Sequence, residues 1–258
     1  MNMIATNNTF DDILKAIALF DGATKNLKAD AILFITGQKQ NLKTARAFIG
    51  LSKNMKMPDW TLAIPARSTC PRGGKLAKVE PRTLTSGIIL ETVCNGCYAV
   101  KGHDGMQPAI NAKARRVSVI ELALVSETIR ALWVKAFVMC LSKSKYFRWH
   151  SAGDLFSAAY VQLILDCITL TPQVTHWIPT KEPILCKPLQ GLVNATVRLS
   201  DDFVDQLANK FKGLTSGVHN LTNGRGQACP ASEKLQDGCQ DCRACWSMDV
   251  PHVSYRKH

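Results

Sequence analysis

Tyr146-Phe147-Arg148-Trp149-His150-Ser151-Ala152-Gly153-Asp154 reads as a strand that runs into a glycine–acid break. Its first five residues have the aromatic weight of a β-strand. Residues 155–170 then carry apolar side chains at helical spacing, and His176-Trp177-Ile178-Pro179-Thr180 forms a second strand. Outward from this unit, Ala195-Thr196-Val197-Arg198-Leu199-Ser200 is another strand, and a helix from Asp201 to about Lys212 follows it, capped by Asp201 or Ser200. Upstream, Trp60-Thr61-Leu62-Ala63-Ile64-Pro65 is a strand ended by its proline, and residues 109–142 form one long apolar-striped helix. Strands that alternate with helices pair in parallel, so the fold class is α/β, a partial parallel β/α barrel.

This core spans residues 51–223. Residues 1–50 read as a small helical extension: a helix at 9–21 behind Thr9, then an apolar stretch at 31–35. Residues 224–258 are a Gly-, Cys- and charge-rich tail. With 46% hydrophobic residues and no apolar run of membrane-spanning length, the expectation is a cytoplasmic protein without a membrane partner. The 32 Lys and Arg outnumber the 20 Asp and Glu, for a net charge of +12. That excess fits either a basic soluble surface or a polyanion partner such as nucleic acid.

Thiols stay reduced in a cytosol, where clustered cysteines are metal ligands more often than disulfides. Seven of the ten cysteines fall into two groups. In the tail, Cys239, Cys242 and Cys245 share two Cys-x-x-Cys steps, with Cys229-Pro230 before them. Three thiolates on one tight turn suit a corner of a [4Fe–4S] cube, and zinc is the alternative metal. In the middle, Cys94 and Cys97 form one step and Cys70-Pro71 lies 24 residues earlier. Four thiolates close a coordination shell; three leave a position open for a small molecule. A zinc site completed by His103, Asp104 or another cysteine is the alternative at the middle group. Cys140 and Cys167 sit in apolar helical stretches as core residues.

Ligands bind at the C-terminal ends of parallel strands. His150 and Asp154 are placed there to handle a proton or an amine, with Gly153 allowing close backbone approach. Arg148 and Lys181 are placed for carboxylate or phosphate, and Arg198 and Ser200 mark the next strand. The catalytic candidates are therefore His150, Asp154 and Lys181, and the cofactor-binding candidates Gly153, Asp154, Arg198 and Ser200.

Ser52-Lys53-Asn54-Met55-Lys56, Leu62-Ala63-Ile64-Pro65-Ala66, Thr69-Cys70-Pro71, Cys94-Asn95-Gly96-Cys97-Tyr98-Ala99, Arg148 to Asp154, Trp177-Ile178-Pro179-Thr180-Lys181-Glu182 and Cys242-Arg243-Ala244-Cys245-Trp246 together resemble a family of bacteriophage proteins named after gene product 88. The resemblance covers about residues 50–247 and implies a phage-encoded protein in the host cytoplasm. More distantly, the layout is similar to radical S-adenosylmethionine enzymes. That likeness implies an open cluster on Cys70, Cys94 and Cys97 that binds S-adenosylmethionine, an auxiliary cluster in the tail, and Asp154 holding the methionyl amine. The three cysteines here are not on one short loop, and Tyr98 follows the last one instead of preceding it. The other expectation is a binding protein with structural metals, whose basic surface engages nucleic acid or a host protein.

Overall fold

A computed structural model of the chain describes residues 29–54, 57–85, 87, 89–206, 211–220, 225–233 and 238–257. The helix expected at 9–21 lies outside them. The apolar stretch at 31–35 falls in helix α1 (Ala29–Ile35), followed by α2 (Leu42–Ile49) behind an Asn41 capping box. Both helices join the main core through Phe34, Phe48 and Ile49.

Strands β1 (Ser52–Lys53), β2 (Trp60–Ala63), β5 (Tyr146–Ala152), β6 (Thr175–Thr180), β7 (Ala195–Val204), β8 (Thr215–His219), β10 (His252–Arg256) and β9 (Gln227–Ala228) lie side by side in that order. Only β1 pairs antiparallel; every other pairing is parallel. A separate hairpin joins β3 (Arg82–Thr83) to β4 (Ile89–Leu90). The main sheet is open, with β1 and β9 as its edges, so no barrel closes.

Strand alternation sorts side chains onto two faces. Phe147, Trp149, His176 and Ile178 face the helices α4 (Gln107–Val125), α5 (Glu127–Leu141) and α6 (Ala158–Thr169), where Phe137 packs 5.0 Å from Phe147 and 5.1 Å from Trp149. Tyr146, Trp177, Thr196 and Arg198 meet the cysteine-bearing tail instead. Truncating the fully buried Phe137 would cost about 3–5 kcal/mol, the range for large aromatic cavities.

Several sequence expectations change. The long helix at 109–142 is two helices, because Ser126 leaves the helix and its hydroxyl caps Ile129 N. The helix expected from 155 begins at Ala158, capped by Ser157 and not by Asp154. The helix expected from Asp201 does not start there: β7 continues to Val204, since Asp201 and Asp202 are buried and paired with Arg225 and Arg72. Within the tail, β10 pairs with β8 and extends the sheet.

Candidate functional site

The middle cysteines gather at the C-terminal ends of the strands. After β2 the loop turns through Arg67, whose φ is +69°, and Thr69, whose hydroxyl donates to Pro65 O at 2.6 Å. Cys70 then begins helix α3 (Pro71–Leu76). The 92–97 segment docks on β7 through Val93 N to Asp202 O, which brings Cys94 and Cys97 to Cys70. Gly73 makes this approach sterically feasible. A Cβ there would lie 3.2 Å from Cys70 Cβ and 3.3 Å from Cys94 Sγ. Burial, with Asp154 and the other two thiols, pushes Cys70 up to about 12. Burial also raises Cys94, against the opposing charge of Lys181.

Around them stand Asp154, Lys181, Glu182, Asp201 and Asp202. Asp154 accepts from Leu155 N at 2.7 Å, Thr180 Oγ1 at 2.5 Å and Lys181 N at 2.9 Å, which occupies three of its roughly four acceptor positions. Burial raises it to about 6 despite these bonds. Lys181 Nζ donates to Asp201 O, and Arg72 grips Asp202 with two nitrogens at 2.5 and 3.1 Å. His150, at φ +54°, is buried with Nε2 3.0 Å from Tyr160 Oη, and burial lowers it to about 3. Gly153, at φ +86°, makes room for the protein's own loop. A Cβ there would sit 2.2 Å from Ile64 Cγ1 and 2.7 Å from Thr69 Oγ1.

The tail cysteines gather separately, under the sheet. Cys229, Cys239, Cys242 and Cys245 share one apolar cluster with Trp177, Trp246 and Tyr255. Arg198 organises this loop and is fully buried. Its guanidinium donates to Ala244 O at 2.8 Å, Cys245 O at 3.1 Å, Ser247 O at 2.7 Å and Thr215 O at 3.3 Å. Ser200, on the same strand, meets Ser216 at 3.2 Å. Trp246 Nε1 donates to Phe147 O at 3.0 Å, and Cys245 Sγ lies 3.1 Å from Tyr255 Oη. Burial drives Cys245 up to about 12, while Arg148 and Arg198 pull it the other way.

Arg148 stacks over Trp177 at 4.5 Å, and its guanidinium meets Tyr98 Oη at 3.3 Å and Met57 Sδ at 3.9 Å. Its Nε is buried with no partner, as is Trp177 Nε1. Neither Arg148 nor Arg198 forms an ion pair among the described residues. A fully buried Arg198, a half-buried Arg148 and two orphaned N–H donors beside four thiols are the reverse of what a neutral thiol cluster needs. They fit a cluster of thiolates, which accepts N–H bonds and carries negative charge. Among the described residues, no three His, Cys, Asp or Glu stand close enough to share a single metal ion.

The spacing of Cys239, Cys242 and Cys245 marked the tail group in the sequence. The buried donors of Trp177 and Arg148, the Tyr255 contact and the carbonyl clamp by Arg198 carried no sequence signal, since each depends on strands far apart in the chain. No helix among the described residues is long and apolar enough to cross a membrane. No curated protein and no solved structure matches the chain. The sequence model described as gene product 88 matches residues 34–211, reaching further toward the N-terminus than residue 50 and stopping before the tail cysteines. That match spans well over half of the chain, which belongs to the bacteriophage gene product 88 family.

Proposed function

We propose that this phage protein carries iron–sulfur clusters at two sites, one closed and one open. Cys229, Cys239, Cys242 and Cys245 would hold the closed one, and Cys70, Cys94 and Cys97 the open one. The observation that carries the reading is the pair of unpaired guanidinia, Arg148 and Arg198, with two orphaned donors against the tail thiols. Burial raises Cys239 and Cys245 and leaves the arginines without an anion; a bound metal centre would reverse both. Thiolates on different corners of a cube stand farther apart than thiolates on one ion, which suits cysteines that are gathered without sharing a single-ion shell. Zinc is the competing metal.

An open cluster, when bound, supplies one-electron reduction of a ligand at its free corner, and S-adenosylmethionine is the ligand to test. The chain's residues would exclude water and orient that ligand at the rim. Lys181 sets positive charge beside Cys94, and Asp154 keeps about one acceptor position free for an amine. Ser200 and Arg198 lie elsewhere on β7, engaged with Ser216 and the tail loop.

Iron, sulfide and zinc analysis of anaerobically purified protein tests the metal. Iron and sulfide at two clusters per chain, with absorbance at about 400 nm, are expected. Stoichiometric zinc in a colourless protein would overturn the iron assignment. S-adenosylmethionine should perturb the EPR signal of the reduced open cluster and yield 5′-deoxyadenosine. A second reading, in which the metals are structural and the partner is a polyanion, is favoured by arginines 46, 115 and 116 lining one cavity.

A further inference from the structure

Three arginines converge where the end of α2 meets α4. Arg46 and Leu51 face Asn111, Arg115 and Arg116 across a cavity of about 530 Å³. Gly50 ends α2 at φ +67°, and a Cβ there would press 3.0 Å from Arg116 Cγ and 3.6 Å from Arg115 Nη2. Its missing side chain is what lets Arg116 lie against the backbone, while Arg115 would meet a Cβ only at ordinary contact distance. Arg116 spends three donors on neutral acceptors: Gly50 O at 2.5 Å, Ala63 O at 3.0 Å and Ser52 Oγ at 2.7 Å. Burial and the nearby charge of Arg115 lower it to about 10, with Asp104 acting the other way.

A second cavity of about 430 Å³ adjoins the first, sharing Ala112 and Arg116 as a common wall. Lys53, Arg148, Tyr98 and Ser151 line it. Its one acid, Asp104, is already paired with Lys113 at 3.1 Å. Among the described residues none of Arg46, Lys53, Arg115 or Arg116 has an ion-pair partner. The two cavities thus make one basic groove that ends at Tyr98, whose ring is 51% exposed and follows Cys97 directly.

We propose that this groove binds the phosphate backbone of a single nucleic-acid strand, with a base stacked on Tyr98. A row of cations along a groove with an exposed aromatic ring is the recognition chemistry of single strands. A duplex is too wide to enter cavities of this size. The strand would run from the Arg46 end to the rim beside the middle cysteines, which makes it the macromolecule presented to that site. This inference rests on the polyanion partner named above and not on the metals.

The test is fluorescence anisotropy of the full-length, metal-replete protein with a labelled single-stranded oligonucleotide across a salt series. Arg46 is exposed and Arg115 partly so, which makes them substitutable without opening the core. Arg46→Ala/Arg115→Ala should weaken binding at least about tenfold and flatten the log K against log salt slope by about 1.4, the value for two phosphate contacts on a single strand. Lys143→Ala/Lys187→Ala removes the same charge from exposed positions outside the groove and should leave most of the affinity. Tyr98→Leu should cost about tenfold, and Tyr98→Phe should restore it, because the ring and not the hydroxyl stacks. Unchanged thermal melts confirm folding, and Arg115→Ala alone serves if the double variant does not fold.

Equal losses in both charge doubles would overturn the groove while leaving the polyanion partner standing. A wild-type protein that binds no strand at low salt would overturn both. Duplex bound as tightly as single strand, or competition by ATP or pyrophosphate at equal phosphate concentration, would overturn the single-strand assignment in favour of a duplex surface or a free-nucleotide site.

Discussion

The tail cysteines lie in an apolar cluster whose nearby charges, Arg148 and Arg198, have no acidic partner. The middle cysteines lie at the strand ends among Asp154, Lys181, Asp201, Asp202 and Arg72, where every charge named has an opposite charge or a hydrogen-bond partner. One environment has two arginines without a carboxylate among the described residues and one buried thiol, Cys245; the other has Asp201 and Asp202 paired with arginines and three partly exposed thiols. The difference supports the proposed closed site in the tail, where thiolates would meet those arginines, and the proposed open site in the middle.

The strongest way to break this contrast is to remove one thiol from each. Cys245→Ala should empty the tail site of metal and leave Arg198 and Arg148 with no anion. Breaking one partner of a buried charge pair costs about 3–5 kcal/mol. Cys97→Ala should empty only the middle site and cost about 1 kcal/mol or less, since it creates no buried orphan charge. Metal analysis with urea unfolding reads both. Loss of all metal from either variant would show a single shared site and end the comparison.

The rim depends on a backbone approach that can be tested by adding one methyl group. Gly153→Ala forces a Cβ to 2.2 Å from Ile64 Cγ1 at φ +86°, combining overpacking with left-handed strain. Together these should cost about 3 kcal/mol. The damage should fall on the Cys70 loop, because Thr69 is the other atom struck, so metal at the middle site should be lost before metal in the tail. Equal loss at both sites in a stability and metal assay would show that Gly153 supports the whole sheet and not the rim.

How much of this was legible in the sequence depended on distance along the chain. The 146–180 unit could be read because its strands alternate and its helix is periodic within a short window. Asp201 and Asp202 looked like a helix start; their partners Arg225 and Arg72 lie 24 and 130 residues away, and burial with those partners made them strand residues. The strand at Thr215-Ser216-Gly217-Val218-His219 is too small and polar to announce itself. Gly217 is needed there because a Cβ would lie 2.6 Å from Asp201 Oδ2. The two cysteine groups were visible from spacing. The grouping of Cys70 with Cys94 and Cys97 was read from the sequence, and the docking of 92–97 on β7 is the contact that brings them together.

Acid tests whether the two regions fall together. His150 and His176, behind the rim and behind Trp177, are each held by burial to about 3. Unfolded, each titrates at about 6.5, so between those values the unfolded chain binds more protons. The stability they protect is full above about pH 6.5 and falls as pH drops toward 3, by about 1.4 kcal/mol per pH unit for each histidine. His252, lowered to about 4, adds to that slope and Asp154, raised to about 6, opposes it, so His176→Asn should lower the measured slope by about 1.4 kcal/mol per pH unit in urea titrations run from pH 7 to 4. An unchanged slope would place the acid sensitivity in other groups. Loss of tail metal well before rim metal on acidification would show that the sheet does not couple them.

The smallest effect on stability should come from Arg148→Met, and it is the most direct probe of why the two regions differ. Met keeps the apolar length that lies on Trp177 and removes a cation whose Nε has no partner. In the metal-free protein the change should be neutral or stabilising by about 1 kcal/mol, because a buried charge without an anion is a cost. In the metal-loaded protein it should lower tail metal affinity and shift the tail cluster's reduction potential to more negative values, since the reduced cluster loses a compensating charge. The middle site's potential should move less, because Cys239 and Cys245 are the thiols whose acidity Arg148 acts on. Chelator competition and redox titration by EPR read these two changes. If Arg148→Met destabilised the metal-free and metal-loaded forms alike and left both potentials in place, Arg148 would be a packing residue for Trp177, and the charge argument for a tail cluster would rest on Arg198 alone.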